Sequence, residues 1–337
     1  MRFDLEVVVR RGSVAESRHR LQCAVVDALG TAVAGTSHAD LVTMIRSAAK
    51  PFQLLALVER GHAGRFGFSD EQLAVMASSH AGQRYHVELV TGILARLGLG
   101  PESLACGFHE PDDPVSRADL ARAGLPRTAL YNNCSGKHAG QLALAIAEGW
   151  PVEGYHLPAH PAQQLVRRTI AEVCGVAPAA MPAGVDGCSL PVFAMPLSAM
   201  ARGYAALGAA RPDGDARAQA LARIAHAMAS FPVAVEGTGR PCTRLMQATR
   251  GRLVAKHGAE GLMMLAARER GHGIAIKCED GGMRAIAPAA IAVLERLGLL
   301  AESEIAELDT LRRPPLTNVS GLEVGALEAT LKEVALA

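Results

Sequence analysis

Strand-like and helix-like stretches are segregated along this chain, and that arrangement limits what it can fold into. Leu5-Glu6-Val7-Val8-Val9-Arg10 is β-rich and ends at Gly12. Leu21 to Asp27 is a second such run, and Thr31 to Gly35 returns across Gly30 as its hairpin partner. Strand signals then vanish until Arg252 to Lys256, His272 to Lys277 and Met283 to Ala287. The middle is helical. Pro51 to Glu59 stops at Gly61, and Ser69-Asp70-Glu71-Gln72 is a capping box with Phe68 and Leu73 at the staple positions. Val87, Val90, Leu94 and Leu97 repeat at helical spacing, as do Leu165, Val166, Ile170 and Val173, and later Leu221, Ile224 and Met228. A helix opened by Pro288 and another over Glu302 to Leu311 close the chain. Two terminal strand groups around a helical middle predict an α+β fold, since a doubly wound sheet would alternate strand and helix throughout. The expected plan is one domain over 1–337, with a sheet lobe from about 1–46 and 250–337 and a helical lobe of about 47–249.

Composition narrows the function classes. The 337 residues are 50% hydrophobic, enough for a large core. Basic and acidic residues number 34 and 33, so no basic field draws nucleic acid and no polybasic patch draws a membrane. Aromatic residues are 4%, too few for base-stacking platforms. A small-molecule partner is therefore expected, with no nucleic acid and no membrane. No signal-like segment or membrane-length apolar run is evident, which reads as cytoplasmic. Seven cysteines in a long chain do not suit a secreted disulfide framework, so each is a buried small residue, a metal ligand or a reactive thiol.

Three stretches carry candidate chemistry. Arg46-Ser47-Ala48-Ala49-Lys50-Pro51 places a serine three residues before a lysine. On a helix these share a face, so Ser47 Oγ and Lys50 Nζ can meet. A serine hydroxyl needs a base beside it, and a lysine serves only when burial or a neighbouring cation lowers its pKa. Pro51 disfavours a helical Lys50, which counts against that geometry. The same letters also describe a helix start with a solvated lysine. Asn133-Cys134-Ser135-Gly136-Lys137-His138 is the densest polar cluster. It lacks the glycine and hydroxyl spacing of a phosphate-binding loop. Cys134 and His138 form an i, i+4 pair usable for metal, and Cys188 beside Asp186 offers another thiolate, yet two buried thiols and a capped helix account for the letters equally. Ser79-His80 ends an apolar helix, where the pair can face a cleft or the imidazole can simply meet the helix dipole. Lys256 follows Leu253-Val254, where a solvated strand end is the plain reading.

Taken in order, Arg46 to Pro51, Ser79-His80, Asn133 to His138, Gly154-Tyr155-His156-Leu157-Pro158, Asp186-Gly187-Cys188-Ser189-Leu190-Pro191 and Glu279-Asp280-Gly281 resemble the asparaginase II family of the inducible, thermolabile rhizobial type, the class 3 L-asparaginases. The resemblance runs from the first strands past Gly282. It implies a serine β-lactamase and glutaminase-like fold, a homodimer, and hydrolysis of L-asparagine to L-aspartate and ammonia with little use of L-glutamine. It also implies two serine–lysine tandems, Ser47 with Lys50 and Ser79 with Lys256. A zinc ion is implied on Cys134, Lys137 and Cys188, supporting substrate binding rather than activating the nucleophile. His138 and Asp186 match polar positions of the same site, and Arg46 is a candidate for the substrate carboxylate. Two positions depart from the family pattern. Ala81 stands where a hydroxyl residue often follows the Ser-His pair, and Cys278 where an apolar residue often precedes Glu-Asp-Gly.

Rival readings are another acyl-serine amidase of the β-lactamase-like fold and a non-catalytic metal- or thiol-sensing protein. The first should carry Ser-Asp-Asn and Lys-Thr-Gly, and both are absent. The second would use Cys134 and Cys188 and leave the serines idle.

Overall fold

The structure is a computed structural model and describes residues 1–124 and 126–334. In chain order the strands are β1 (Phe3–Arg11), β2 (Val14–Val26), β3 (Ala32–Gly35), β4 (Val42–Met44), β5 (Ala183–Val185), β6 (Pro191–Pro196), β7 (Leu253–Gly258), β8 (Leu262–Ala267), β9 (His272–Cys278), β10 (Pro315–Thr317) and β11 (Glu323–Glu333). The helices are α1 (Lys50–Val58), α2 (His62–Arg65), α3 (Asp70–Met76), α4 (Arg84–Arg96), α5 (Pro114–Ala123), α6 (Ser135–Ala147), α7 (Pro161–Cys174), α8 (Leu197–Ala209), α9 (Ala216–Ser230), α10 (Pro232–Val235), α11 (Pro241–Ala248), α12 (Ile286–Arg296), α13 (Glu302–Glu307) and α14 (Asp309–Arg312). They form two compact units. The first comprises Met1–Ala48, Met195–Ala209 and Arg244–Ala337, the second Ala49–Ala194 and Ala210–Thr243. The fold class is α+β.

The first unit is built on one antiparallel sheet, ordered β10-β11-β1-β2-β9-β8-β7, with β3 paired to β2. Register sets the two faces. Leu5 sits opposite Leu21, which sits opposite Cys278, so Leu5, Leu21, Cys23, Ile274 and Ile276 share one buried face. The other face carries small residues where β2, β9 and β8 meet, with Ala24 opposite Ala275, and Gly273 between Val26 and Ala266. That leaves room for a helix backbone, and α8 fills it. A Cβ on Gly273 would lie 1.8 Å from the Ala201 carbonyl oxygen. Thus α8, inside the stretch read from sequence as helical lobe, packs on the sheet. α12 packs against β1, β9 and β11.

The second unit is helical and centred on α6, which contacts α1, α3, α4 and α7. Every residue from Ser135 to Ala145 is buried, the mark of a helix enclosed on all sides. The capping box forms as the sequence predicts: Ser69 Oγ accepts from Gln72 N–H, and the Gln72 side chain accepts from Ser69 N–H.

One expected strand is overturned. Met283–Ala285 is a 3-10 turn that runs directly into α12. Ile286, Ala289, Ala290 and Val293 are buried at helical spacing, and Pro288 falls within the first turn, where no backbone N–H is needed. Lys256 does not follow its strand but lies inside β7, and it is fully buried. Among the described residues no helix is long and apolar enough to cross a membrane.

Candidate active site

Lys50 is the first residue of α1, directly after the 3-10 turn Arg46–Ala49. Pro51 occupies the second helical position, so a helical Lys50 is accommodated after all. Its ammonium end is wholly buried and reaches the segment that follows α3. Nζ lies 2.5 Å from the Ser78 carbonyl oxygen, 2.9 Å from Ser79 Oγ and 3.4 Å from the Asn133 carbonyl oxygen. Burial lowers its pKa, and Lys137 adds to the effect, while charge on Cys134 and Cys188 opposes it. A neutral amine has two N–H groups and one lone pair. Nζ also hydrogen-bonds Cys134. When the neutral amine gives its two hydrogens to acceptors other than Ser79, its lone pair is open to the Ser79 O–H, the arrangement a general base requires. This lysine therefore meets Ser79, a pairing that motif spacing does not give.

Main-chain and side-chain bonds fix Ser79 in place. Its N–H donates to the Val235 carbonyl and that of His80 to the Asn133 carbonyl. His80 Nδ1 accepts from Gly82 N–H, while its Nε2 is 2.8 Å from Ser135 Oγ. Since Ser135 Oγ donates to the Leu130 carbonyl, it accepts from His80 Nε2–H, and the ring is neutral with its proton on Nε2. Burial, then His86, Lys50 and His109, hold this imidazole well below its usual pKa.

Cys134 and Lys137 come from the start of α6. Asn132 Oδ1 accepts from Cys134 N–H, and Asn132 Nδ2 donates to the Cys106 and Gly107 carbonyls. Cys188 comes from the turn between β5 and β6, closed by Asp186 N–H to the Leu190 carbonyl and by Ser189 N–H to the Asp186 carbonyl. Lys137 Nζ donates to Cys188 Sγ at 2.8 Å. Cys188 hydrogen-bonds Cys134, which with Lys137 and Lys50 keeps the Cys134 thiol well below its ordinary pKa despite burial; the same bond pushes Cys188 up. Burial pulls Lys137 down, but Cys134, Cys188 and Asp186 outweigh it and raise the ammonium.

This donor set fits a zinc ion. Two thiols and an amine converge in a buried place, which is the sulfur and nitrogen ligation zinc prefers. Next to them, the buried His138 imidazole lies against the Cys188 main chain. A bound ion would need the protons of both cysteines and of Lys137 removed. A second convergence, in the first unit, is already closed by its own hydrogen bonds. His19 Nδ1 meets Asp280 Oδ2 at 2.7 Å, Cys278 Sγ meets Asp280 Oδ1 at 2.9 Å, and Arg284 Nε donates to His19 Nε2.

The remaining candidates are placed as follows. Lys50, Ser79, Cys134, Lys137, His138, Asp186 and Cys188 belong to the second unit, and Arg46, Ser47 and Lys256 to the first. Arg46 has a left-handed φ of 47°, a conformation non-glycine residues rarely hold and one that concentrates at functional positions. Ser47 is half-buried, and Lys256 Nζ donates to the His257 carbonyl. Sequence reasoning assigned no role to Asn133, Ser135 or Tyr155. Their signal was membership of the polar Asn133 to His138 run and of the Gly154-Tyr155-His156 motif.

The sequence model of the family described as L-asparaginase II matches residues 7–329. The chain belongs to the L-asparaginase II family. No curated protein sequence matches the chain. Among solved structures it is similar to Mglu in its native form, at 18% identity and TM-score 0.45, over 83% of this chain and 65% of that one. It is also similar to a β-lactamase from Mycobacterium bovis, at 16% identity and TM-score 0.42, over 82% of this chain and 94% of that one. The family member thus spans just under two thirds of the length of Mglu.

Proposed function

We propose that this protein hydrolyses the side-chain amide of L-asparagine to L-aspartate and ammonia through a serine nucleophile activated by Lys50. The observation that carries the reading is the buried Lys50 amine 2.9 Å from Ser79 Oγ, with two carbonyls to hold its hydrogens. Lys50 takes the hydroxyl proton as the serine oxygen bonds to the amide carbon, giving a tetrahedral oxyanion. Collapse of that intermediate breaks the C–N bond, and the proton leaves with ammonia. Water then attacks the ester, frees aspartate and restores the serine. The Ser79 N–H is engaged with the Val235 carbonyl, so donors to the oxyanion come from other groups.

Ser79 Oγ is at hydrogen-bond distance from Lys50, while the Ser-x-x-Lys spacing nominates Ser47 for the same lysine. Ser47 and the tandem of Ser79 with Lys256 enter the proposal from the sequence resemblance, as do Arg46 and Asp186 as substrate contacts and the homodimer. Cys134, Lys137 and Cys188 would hold zinc, which when bound supplies a fixed positive charge for orienting the amino-acid end of the substrate.

The test is ammonia release from L-asparagine beside L-glutamine, for the native chain, Ser79→Ala and Ser47→Ala. Release from asparagine that is lost in Ser79→Ala supports the assignment. Loss only in Ser47→Ala returns the nucleophile to the Ser-x-x-Lys serine. No release from either amide by folded, zinc-supplemented protein sinks the asparaginase reading and favours a sensor.

A further inference from the structure

The sheet of the first unit carries a polar row on the face that receives α8. Beyond Ala24 and Ala275, Gln22 on β2 sits opposite Lys277 on β9, and Lys277 sits opposite Leu262 on β8. Leu5 faces Leu21, so Asp4 comes beside Gln22, and Asp4 sits opposite Lys332 on β11. Residues opposite one another share a face, so the row across the sheet reads Lys332, Asp4, Gln22, Lys277. Asp4, Gln22 and Lys332 line a cavity of about 450 Å³, a volume usual for small-molecule sites. None of the candidate catalytic or zinc residues lines it. Its wall is Thr36 to His38, and that segment is tied to the start of α8 by Leu197 N–H to the Leu41 carbonyl and Ser198 N–H to the Ala39 carbonyl. Two buried side chains of the row keep spare hydrogens. Lys277 and Gln22 are each 8% exposed. Lys277 Nζ donates to the Cys278 carbonyl and has no other partner among the described residues, although an ammonium has three hydrogens. A buried charge without a counter-ion is costly. Gln22 Oε1 accepts from Thr36 Oγ1, while Gln22 Nε2 donates one hydrogen to Glu279 Oε1 and keeps the other. The spare acceptor of the row is Asp4. It faces Lys332 without an ion pair, and its carboxylate has no partner among the described residues. Glu6, next along the face, is held by Arg18.

We propose that this cavity is a binding site for a free α-amino acid, with the ligand carboxylate on Lys277 and Gln22 and its ammonium on Asp4. Adjacent strands lie ~4.8 Å apart, so the two charges flank Gln22 from strands ~10 Å apart, which leaves room for a small zwitterion over the amide. A dianion would meet the Asp4 and Glu6 carboxylates. An apolar ligand would leave the buried N–H groups unpaired. The site stands on the sheet alone and does not depend on the amide-hydrolase reading.

The Gln22 side-chain amide reports occupancy in 1H–15N spectra of the full chain, assigned by its disappearance in Gln22→Leu. L-Alanine should shift it saturably. Propionate, the same acid without the ammonium, should bind about tenfold more weakly, the loss of one charge-assisted hydrogen bond. In Asp4→Asn the affinity for L-alanine should fall to that for propionate. Lys277→Met, which keeps the length of the side chain and removes its charge, should abolish the shift by both. No saturable shift with L-alanine overturns the proposal. So does equal affinity of the native chain for L-alanine and propionate, and so does a folded Lys277→Met that binds L-alanine as the native chain does. If that variant does not fold, the native titrations and Asp4→Asn decide.

Discussion

At the scale of single residues the decisive group is Lys50. Its side chain is fully buried against backbone carbonyls, the Ser79 hydroxyl and Cys134, and burial moves its pKa downward. If the neutral amine is the working form, the rate should rise with pH through that lowered pKa and level off above it. Lys50→Arg keeps a charge at any accessible pH and should lose about 10²–10⁴-fold in kcat, the usual contribution of a positioned base. An arginine variant that retains the native rate and pH limb would remove Lys50 from the mechanism. The same shift has a consequence for stability. The folded pKa lies below the unfolded one of about 10.4, so between them the unfolded chain binds more protons and the Lys50 contribution to stability improves as pH rises through that window. Sequence alone made the lysine visible but not its partner. Ser79 lies 29 residues away, and the contact depends on where α3 ends. Cys188, 51 residues from Lys137, was already a candidate thiolate from the residues alone, but its grouping with Lys137 came through family resemblance and not through spacing.

At the scale of elements, the start of α6 governs the site because it packs against α3 with no side chain between them. A Cβ on Gly136 would stand 2.2 Å from the Val75 carbonyl oxygen, which also accepts the Ser78 N–H. Gly136→Ala must therefore displace either α6, which carries Cys134 and Lys137, or the segment that presents Ser79. Overpacking of this kind costs about 1–3 kcal/mol or more. Denaturant unfolding should show that loss together with a fall in amidase activity. Gly140, one turn on, meets the flexible Met76 side chain at 3.4 Å, and Gly140→Ala should be neutral or gain up to about 1 kcal/mol of helix propensity. Equal effects at the two glycines would show that the close approach is not what positions the site. Elements were legible where a period or cap existed, as in β1, β2, α4 and the Ser69 cap. They were missed where tertiary pairing overrides composition. Leu262–Ala267 is a continuous apolar run with no alternation, because both its faces are covered. Glu323–Glu333 is rich in Ala, Leu and Glu, yet pairing along the length of β1 makes it a strand.

At the scale of the molecule, the chain passes between its two units at 48/49, 194/195, 209/210 and 243/244, and this partitions the candidate chemistry. Cys134, Lys137 and Cys188 all lie in the second unit, held by α6 and the β5–β6 turn. Arg46, Ser47 and Lys256 lie in the first. The proposed zinc binding and the roles given to Ser47 and Lys256 are therefore separable by substitution in the full chain. Zinc content after dialysis against metal-free buffer should be lost in Cys134→Ser and Cys188→Ser. It should fall in Lys137→Met, where one nitrogen donor is gone and the Cys188 sulfur loses its hydrogen-bond partner. It should be retained in Ser47→Ala and Lys256→Met, even where those variants release no ammonia. Far-ultraviolet circular dichroism of each variant separates a lost ligand from a lost fold. A folded Lys256→Met that no longer holds zinc would mean the metal depends on the first unit, and the division of labour argued from the chain path would fail. Zinc retained by both cysteine variants would instead remove the Cys134 and Cys188 pair as its ligands and leave their hydrogen bond with Lys137 as a structural contact.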